Sequence, residues 1–185
     1  SAPAVTLAKR LADLAPDPLQ RVFYSDSGST AVEIALKMAW QFWQQVDDGA
    51  QAQRRTFITL GNAYHGDTIG AVSLGGIDIF HARYGGLLFD TVQAPSPCAY
   101  RHSQETTRED AEESAVRALE SLIDQHADRL AAVIIEPGMQ GAAGILTQPD
   151  GFLRRVRDAV DRAGSLLILD EVAVGFGRSG QTMFA

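Results

Sequence analysis

The chain has 185 residues, of which 45% are hydrophobic, and a formal net charge of −7. This length and apolar content are sufficient for one domain with a substantial core. The acidic balance, with lysine and arginine scattered along the chain, argues against a nucleic-acid-binding protein, which needs a basic patch. No apolar run is long enough to span a membrane, and the N-terminus has no signal-peptide pattern. The single cysteine, Cys98, rules out an internal disulfide framework and is consistent with a reducing compartment such as the cytoplasm.

Hydrophobic periodicity predicts an alternation of helices and strands. The predicted helices span residues 5–14, 30–46, 67–74, 109–126 and 152–162. The predicted strands span residues 21–24, 56–60, 131–135 and 166–169, and residues 77–108 have an irregular pattern. This alternation predicts an α/β domain, or a large piece of one, with a central mostly parallel sheet and helices on both faces.

The helix predicted over residues 30–46 carries an apolar stripe at helical spacing. The stripe consists of Ala31, Ile34, Ala35, Met38, Ala39 and Phe42. We therefore predict that this stripe is the face that the helix buries.

Polar residues follow four of the predicted strands. They are residues 25–29 (Ser-Asp-Ser-Gly-Ser), residues 62–67 (Asn-Ala-Tyr-His-Gly-Asp), Glu136 and the pair Asp170-Glu171. The carboxyl ends of parallel strands meet at one edge of a sheet, where open α/β sheets bind ligands. A single site can therefore use residues from all four segments.

Asp170 is the most informative of these residues, because it directly follows the apolar run Leu166 to Leu169. An ionised carboxylate at the end of a buried strand is costly unless a cation or a metal ion pairs with it. A magnesium site of the Walker type would require a Gly-x-x-x-x-Gly-Lys-Ser/Thr loop, which the chain lacks. The four histidines do not have the spacing of zinc ligands, so we predict no metal site.

The other segments have ordinary structural explanations as well as functional ones. Ser27-Gly28-Ser29 before a helix predicts either a phosphate cradle or a plain N-cap. Tyr64 can stack on a planar ligand or be a half-buried tyrosine, and His65 can be a satisfied loop histidine. Glu136, before Pro137, can be a site carboxylate or a polar end to its strand. Taken singly, each segment favours the structural explanation.

Taken in order, four motifs resemble those of the class III (fold type I) aminotransferases, which depend on pyridoxal 5′-phosphate. The motifs are Ser27-Gly28-Ser29-x-Ala31-x-Glu33-x-Ala35, Tyr64-His65-Gly66, Ile135-Glu136-Pro137 and Asp170-Glu171-Val172-x-x-Gly175-Phe176-Gly177-Arg178-x-Gly180. Finer features, such as residues 62–71 and 75–77, resemble the branch of this family that acts in biotin synthesis. The resemblance implies that residues 1–185 are part of the large cofactor-binding domain.

The resemblance also implies roles around the cofactor. Gly28 and Ser29 would give backbone N–H groups to the cofactor phosphate. Tyr64 would stack on one face of the pyridine ring, and Val172 would pack on the other. Asp170 would pair with the protonated pyridine nitrogen, which is the cation that its burial requires.

On the substrate side, Glu136 would lie near Asp170 as a supporting or gating carboxylate, and Asp67 would face the substrate. The reaction implied is transfer of an amino group from S-adenosylmethionine, or from lysine, to 8-amino-7-oxononanoate. The sequence departs from the family pattern at Val174, where threonine is usual. It also departs over residues 140–144, which lack an acidic residue that some relatives carry. A roomier, more apolar site would suit a long-chain keto substrate.

The family's reaction requires a lysine that binds the cofactor covalently and transfers the substrate proton. The only lysines are Lys9 and Lys37, and both fall in predicted helices. We therefore expect that the chain lacks the N-terminal segment, the lysine-bearing portion and the C-terminal small domain. We expect it to be inactive alone, and the parent enzyme to be a homodimer. The alternatives are an ω-amino acid:pyruvate transaminase of the same class and a non-catalytic truncated domain that acts in dimerisation or regulation.

Overall fold

Helices and strands alternate along the computed structural model, which describes residues 1–101, 107–180 and 182–184. The helices are α1 (Ala2–Leu14), α2 (Gly28–Gln45), α3 (Ile69–Ser73), α4 (Asp78–His81), α5 (Arg108–Gln125) and α6 (Phe152–Arg162). The strands are β1 (Thr56–Leu60), β2 (Val92–Ala94), β3 (Leu130–Ile135), β4 (Met139–Gln140), β5 (Leu146–Thr147) and β6 (Leu166–Leu169). In the described part of the chain, none of the helices has the length and hydropathy needed to cross a bilayer.

Four parallel strands form the central sheet in the order β2-β1-β3-β6. Ile58 pairs with Val92 on one side and with Val133 on the other, and Val133 pairs in turn with Leu167. β4 and β5 form a separate antiparallel pair shortly after β3. The α/β class with a parallel sheet is confirmed.

Helices cover both faces of the sheet, because β3 is apolar on both sides. Val133 and Ile135 pack in a core with α5 and α6, whereas Ala132 and Ile134 pack in a second core with α2 and α3. All six residues of β3 are buried. A near-continuous apolar run is what a strand buried on both faces requires.

The predicted buried face of α2 is wrong except at Ala39. The helix buries Val32, Leu36, Ala39 and Trp43, whereas Met38 is 50% exposed and Phe42 is 44% exposed. Trp43 fixes this orientation, because its Nε1 donates a 2.8 Å hydrogen bond to the Ala131 carbonyl oxygen. The Arg54 guanidinium lies 4.6 Å from the centre of the same ring.

Two secondary-structure predictions also differ from the structure, one for residues 21–24 and one for residues 77–108. Residues 21–24 are not a strand in the structure, and they pair with no strand among the described residues. Tyr24 instead donates a 2.6 Å hydrogen bond from its hydroxyl to the Ala4 carbonyl oxygen of α1. Residues 25–29 therefore follow a coil, so three predicted strand ends, and not four, contribute to the sheet edge. Conversely, β2 lies within residues 77–108, where three residues are too few to show a periodic pattern.

Candidate active site

The N-terminus of α2 lies at the edge of the sheet where the site forms. Ser27 is the N-cap: its Oγ accepts from the Thr30 N–H at 3.2 Å, and the Thr30 Oγ1 accepts from the Ser27 N–H at 3.1 Å. The N–H groups of Gly28 and Ser29 donate to no acceptor among the described residues. The N-cap prediction is confirmed. The capped helix still presents two free N–H groups, as the predicted phosphate cradle would require.

Gly28 touches the loop that follows β6. A Cβ atom at Gly28 would lie 2.9 Å from Cγ2 of Val172, which is closer than real contacts allow. The side chain of Val172 is otherwise 70% exposed. The absence of a side chain at Gly28 thus lets Val172 stand beside the helix N-terminus with its outer surface open to a ligand.

The loop after β1 brings Tyr64 and Asp67 to the N-terminus of α2. The Tyr64 hydroxyl donates to Asp67 Oδ2 at 2.9 Å, and the Asp67 N–H donates to Ser29 Oγ at 3.1 Å. Burial raises the pKa of Tyr64, and the hydrogen bond and charge of Asp67 add to the effect. Tyr64, half-buried, and Asp67, exposed, are therefore held next to the cradle at α2.

Asp170 has a protein partner that the sequence did not reveal. His65 Nδ1 donates to Asp170 Oδ2 at 2.7 Å, and both side chains are buried. The second carboxylate oxygen of Asp170, Oδ1, accepts from the Val172 N–H at 3.1 Å. His65 Nε2 has no hydrogen-bond partner among the described residues. The motif Tyr64-His65-Gly66 does not indicate this pair, because it joins side chains 105 positions apart in the chain.

Glu136 directly follows β3. This strand lies between β1, whose following loop contains His65, and β6, which Asp170 follows. Glu136 is only 6% exposed, and its Oε2 has no hydrogen-bond partner in the described part of the chain. Burial raises the pKa of Glu136 to about 8, helped by the neighbouring charge of Asp170 and opposed by a backbone hydrogen bond from Gly141. Glu136 is therefore a carboxylic acid at neutral pH rather than a second carboxylate.

Gln140 is a buried polar residue that supports the same edge. Its Nε2 donates to the Gly61 carbonyl oxygen at 2.8 Å, and its Oε1 accepts from Ser96 Oγ at 2.5 Å. Gln140 thus ties the ends of β1 and β2 to β4. Nothing in the sequence pattern of residues 140–144 indicates this role of Gln140.

The family model described as Aminotransferase class-III matches residues 1–185. The chain belongs to this family. It is 52% identical over 183 residues to an adenosylmethionine-8-amino-7-oxononanoate aminotransferase of Nitratidesulfovibrio vulgaris, covering 99% of this chain and 33% of that protein. The chain therefore spans about a third of the length of this relative.

Solved structures agree with this family assignment. A crystal structure of the adenosylmethionine-8-amino-7-oxononanoate aminotransferase from Methanocaldococcus jannaschii has a TM-score of 0.84 and 40% identity, covering 100% of this chain and 38% of that chain. An amine transaminase from an uncultivated Pseudomonas species, in its PLP-bound form, has a TM-score of 0.79 and 38% identity, covering 96% of this chain and 38% of that chain. Pyridoxal 5′-phosphate is the cofactor of this family.

The residues of this class III chain fit that cofactor. They combine a helix N-terminus with free N–H groups, an exposed valine beside it and a buried aspartate, all at one sheet edge. Neither lysine lies in this group. Lys9 pairs with Asp13 on α1 at 2.9 Å, and Lys37 is exposed on α2. Among the described residues, no cluster of histidine, cysteine, aspartate or glutamate has the arrangement of a metal site.

A cavity of about 830 Å³ opens beside Tyr64 and Asp67. Its lining combines apolar side chains, among them Val72, Phe80 and Ala142, with the charged groups of Asp67 and Arg83. The Phe80 ring lies 6.1 Å from the Tyr64 ring. Ala142 belongs to the segment that lacks the acidic residue of some relatives.

Proposed function

We propose that the chain is the cofactor-binding part of an adenosylmethionine-8-amino-7-oxononanoate aminotransferase. Such an enzyme transfers an amino group from S-adenosylmethionine, or from lysine, to 8-amino-7-oxononanoate and gives 7,8-diaminononanoate in biotin synthesis. The observation that carries the proposal is the 52% identity, over nearly the whole chain, to a relative of that name. The residues at the sheet edge support the proposal for cofactor binding, and the lysine is the part of the chemistry that they do not provide.

The cofactor would be held by five residues of this chain. The free N–H groups of Gly28 and Ser29 would bind its phosphate at the positive end of the α2 dipole. Tyr64 and Val172 would contact the two faces of the ring. When bound, pyridoxal 5′-phosphate supplies an electron sink for the substrate Cα, and Asp170 would keep the ring nitrogen protonated so that the sink stays strong.

The substrate would meet Asp67, Glu136 and the cavity. Asp67 is exposed at the mouth of the cavity, where its charge favours a substrate amino group. The buried Glu136 adds no second negative charge next to Asp170 at neutral pH. The apolar side chains of the cavity would accept the methylene chain of the oxononanoate by burying its surface.

The remaining requirements would come from the rest of the enzyme. The lysine that binds the cofactor covalently lies elsewhere, since Lys9 and Lys37 are both outside the site. We place that lysine, the N-terminal segment and the small domain in the full-length protein. We also propose that the full-length protein is a cytoplasmic homodimer, as is typical of the family.

The direct test is an assay of the purified full-length protein with 8-amino-7-oxononanoate and each amino donor in turn. We expect 7,8-diaminononanoate to form with S-adenosylmethionine or with lysine. Pyruvate with an ω-amino acid should give little product. Turnover only in the second assay would overturn the assignment in favour of an ω-amino acid:pyruvate transaminase.

A second experiment addresses the 185-residue chain alone. We expect weak, non-covalent binding of pyridoxal 5′-phosphate and no transaminase activity. Borohydride reduction fixes the cofactor only where a lysine has bound it covalently, so reduction followed by mass spectrometry should find an unmodified chain. A stoichiometric cofactor adduct on Lys9 or Lys37 would contradict the proposed roles of the site residues.

A further inference from the structure

Two side chains of α2 hold the loop that carries Tyr64, His65 and Asp67. Ser29, in the first turn, accepts from the Asp67 N–H at 3.1 Å. Glu33, one turn later, accepts from the Gly70 N–H with Oε1 at 2.6 Å. Both acceptors are side chains of a helix whose first N–H groups form the proposed phosphate cradle, so the loop and the cradle share one rigid support.

The glycines of the loop make this attachment possible. A Cβ atom at Gly66 would lie 2.1 Å from Ser29 Oγ, and one at Gly70 would lie 2.3 Å from Glu33 Oε2. Gly66 also has a φ of +122°, a conformation that other residues rarely adopt. The loop therefore approaches α2 as closely as the backbone permits, and the two hydrogen bonds fix its position along the helix.

Glu33 is the stronger of the two attachments. Its carboxylate makes a short, charge-assisted bond, and such bonds are roughly twice as strong as neutral ones. Glu33 is partly buried, and Gly70 is fully buried in α3. No ion pair joins Glu33 to a cation among the described residues, so its contact with the Gly70 N–H is the interaction that explains its orientation.

We infer that Glu33 is a positioning residue: through the Gly70 N–H it sets the placement of Tyr64 and Asp67 relative to the phosphate cradle on α2. Glu33 itself does not touch the cofactor or the substrate in this assignment. It acts through the loop, in which the Tyr64 hydroxyl and Asp67 are already joined at 2.9 Å. The inference rests on the proposed function for the substrate of its activity assay. The hydrogen bonds that support it are observed in the structure and do not depend on that function.

The test uses the full-length holoenzyme with Glu33→Ala, Glu33→Gln and the control Gln41→Ala, an exposed position on the same helix. We expect Glu33→Ala to lower kcat/KM by about tenfold or more, since small displacements of positioning groups have effects of this size. The circular dichroism band of the bound cofactor should change with it, because Tyr64 is proposed to contact the ring. Glu33→Gln keeps an acceptor oxygen at this position. It should therefore retain most of the kcat/KM and most of the circular dichroism band of the cofactor.

Two further measurements separate positioning from a loss of stability. Hydrogen exchange of the Gly70 amide should accelerate in Glu33→Ala and stay slow in Gln41→Ala. Gly70→Ala should displace the Glu33 carboxylate and reproduce the kinetic loss, and it should add little to that loss when combined with Glu33→Ala. Additive losses, or a Glu33→Ala enzyme that is less stable but unchanged in cofactor spectrum and kcat/KM, would overturn the inference.

The spectroscopic and exchange measurements do not depend on the substrate. If the enzyme uses an ω-amino acid instead of the oxononanoate, the same variants can be compared with that substrate. The proposed function would then fail, while the role of Glu33 would still be supported by the cofactor band and by exchange at Gly70.

Discussion

Replacement of Glu136 by glutamine tests the electrostatics of the site most directly. The pKa of Glu136 is raised from its ordinary value of 4.5 to about 8, chiefly by burial. Between these two pH values the folded chain holds a proton that the unfolded chain releases. The free energy of unfolding therefore falls as pH rises from about 5 to about 8, and it levels off above that. Glu136→Gln should remove this dependence.

The size of the effect follows from the same pKa values. At about 1.4 kcal/mol for each pH unit, the full difference corresponds to about 5 kcal/mol. Solvent at the open rim of the site screens part of this penalty, so we expect a stabilisation by glutamine of about 2 to 4 kcal/mol at pH 9. At pH 5 the two proteins should differ little, since a protonated glutamate and a glutamine have nearly the same size and charge.

The assay is urea unfolding of the cofactor-free chain from pH 5 to pH 9, followed by tryptophan fluorescence of the buried Trp43. Glu109→Gln, at an exposed position in the first turn of α5, is the control: it retains Glu136, so its free energy of unfolding should fall with pH as it does in the unsubstituted chain. Asp170→Asn should retain most of the slope, because burial is the larger cause and the charge of Asp170 the smaller. A stability gain from Glu136→Gln that is constant across pH, or that grows toward pH 5, would refute the reasoning.

Three further substitutions probe the contacts around the site and the core. His65→Ala leaves Asp170 Oδ2 without its buried partner, so it should lower the free energy of unfolding by about 2 to 4 kcal/mol in denaturation experiments. A loss below about 0.5 kcal/mol would show that the pair does not stabilise the fold. Gly28→Ala forces a Cβ atom against Val172 and should weaken pyridoxal 5′-phosphate binding by the full-length enzyme about tenfold in a titration. Adding Val172→Ala should relieve that clash, and a double variant as weak as Gly28→Ala would contradict the packing explanation. Trp43→Phe removes a buried hydrogen bond and should cost about 1 to 3 kcal/mol, measured by circular dichroism during urea unfolding; an unchanged midpoint would contradict the role of Trp43 in orienting α2.

The long helices and the buried strands were predictable because their patterns are strong and local. Residues 131–135 are apolar without a break, and the structure places them in the middle of the sheet as part of β3. The orientation of α2 was not predictable in the same way. Its sequence has apolar residues on more than one face, and the choice depends on a hydrogen bond from Trp43 to Ala131, 88 positions away in the chain. Periodicity contains no information about such a contact.

Residues 21–24 show a different limit of sequence analysis. Arg21 to Tyr24 has the composition of a strand, but a strand forms only where a neighbouring strand accepts its hydrogen bonds. In the described part of the chain this segment has no such neighbour, and Phe23 is exposed. The composition of residues 21–24 therefore indicates a preference for extended backbone, but the predicted strand is wrong.

The residues of the site were recognisable from their motifs, whereas their partners were not. Asp67, Tyr64 and Ser29 lie in separate motifs, and the structure joins them through two hydrogen bonds. Their proposed roles toward cofactor and substrate stay predictions. The contact between His65 and Asp170 depends on the strand order β1-β3-β6, since the loop after β1 must pass the end of β3 to reach β6. Strand order is a tertiary property that the motifs do not encode.

This strand order changes the explanation of the buried aspartate. From the sequence, Asp170 required a cation, and the pyridine nitrogen of the cofactor was the candidate. In the structure, His65 Nδ1 and the Val172 N–H donate to the two carboxylate oxygens of Asp170 and fix the orientation of this group. Glu136, the other buried carboxyl group at this edge, has a pKa raised to about 8 and is in its acid form at neutral pH, which leaves Asp170 as the carboxylate that we propose pairs with the ring nitrogen. A preoriented carboxylate is the arrangement by which Asp170 would keep the ring nitrogen protonated in the proposed assignment.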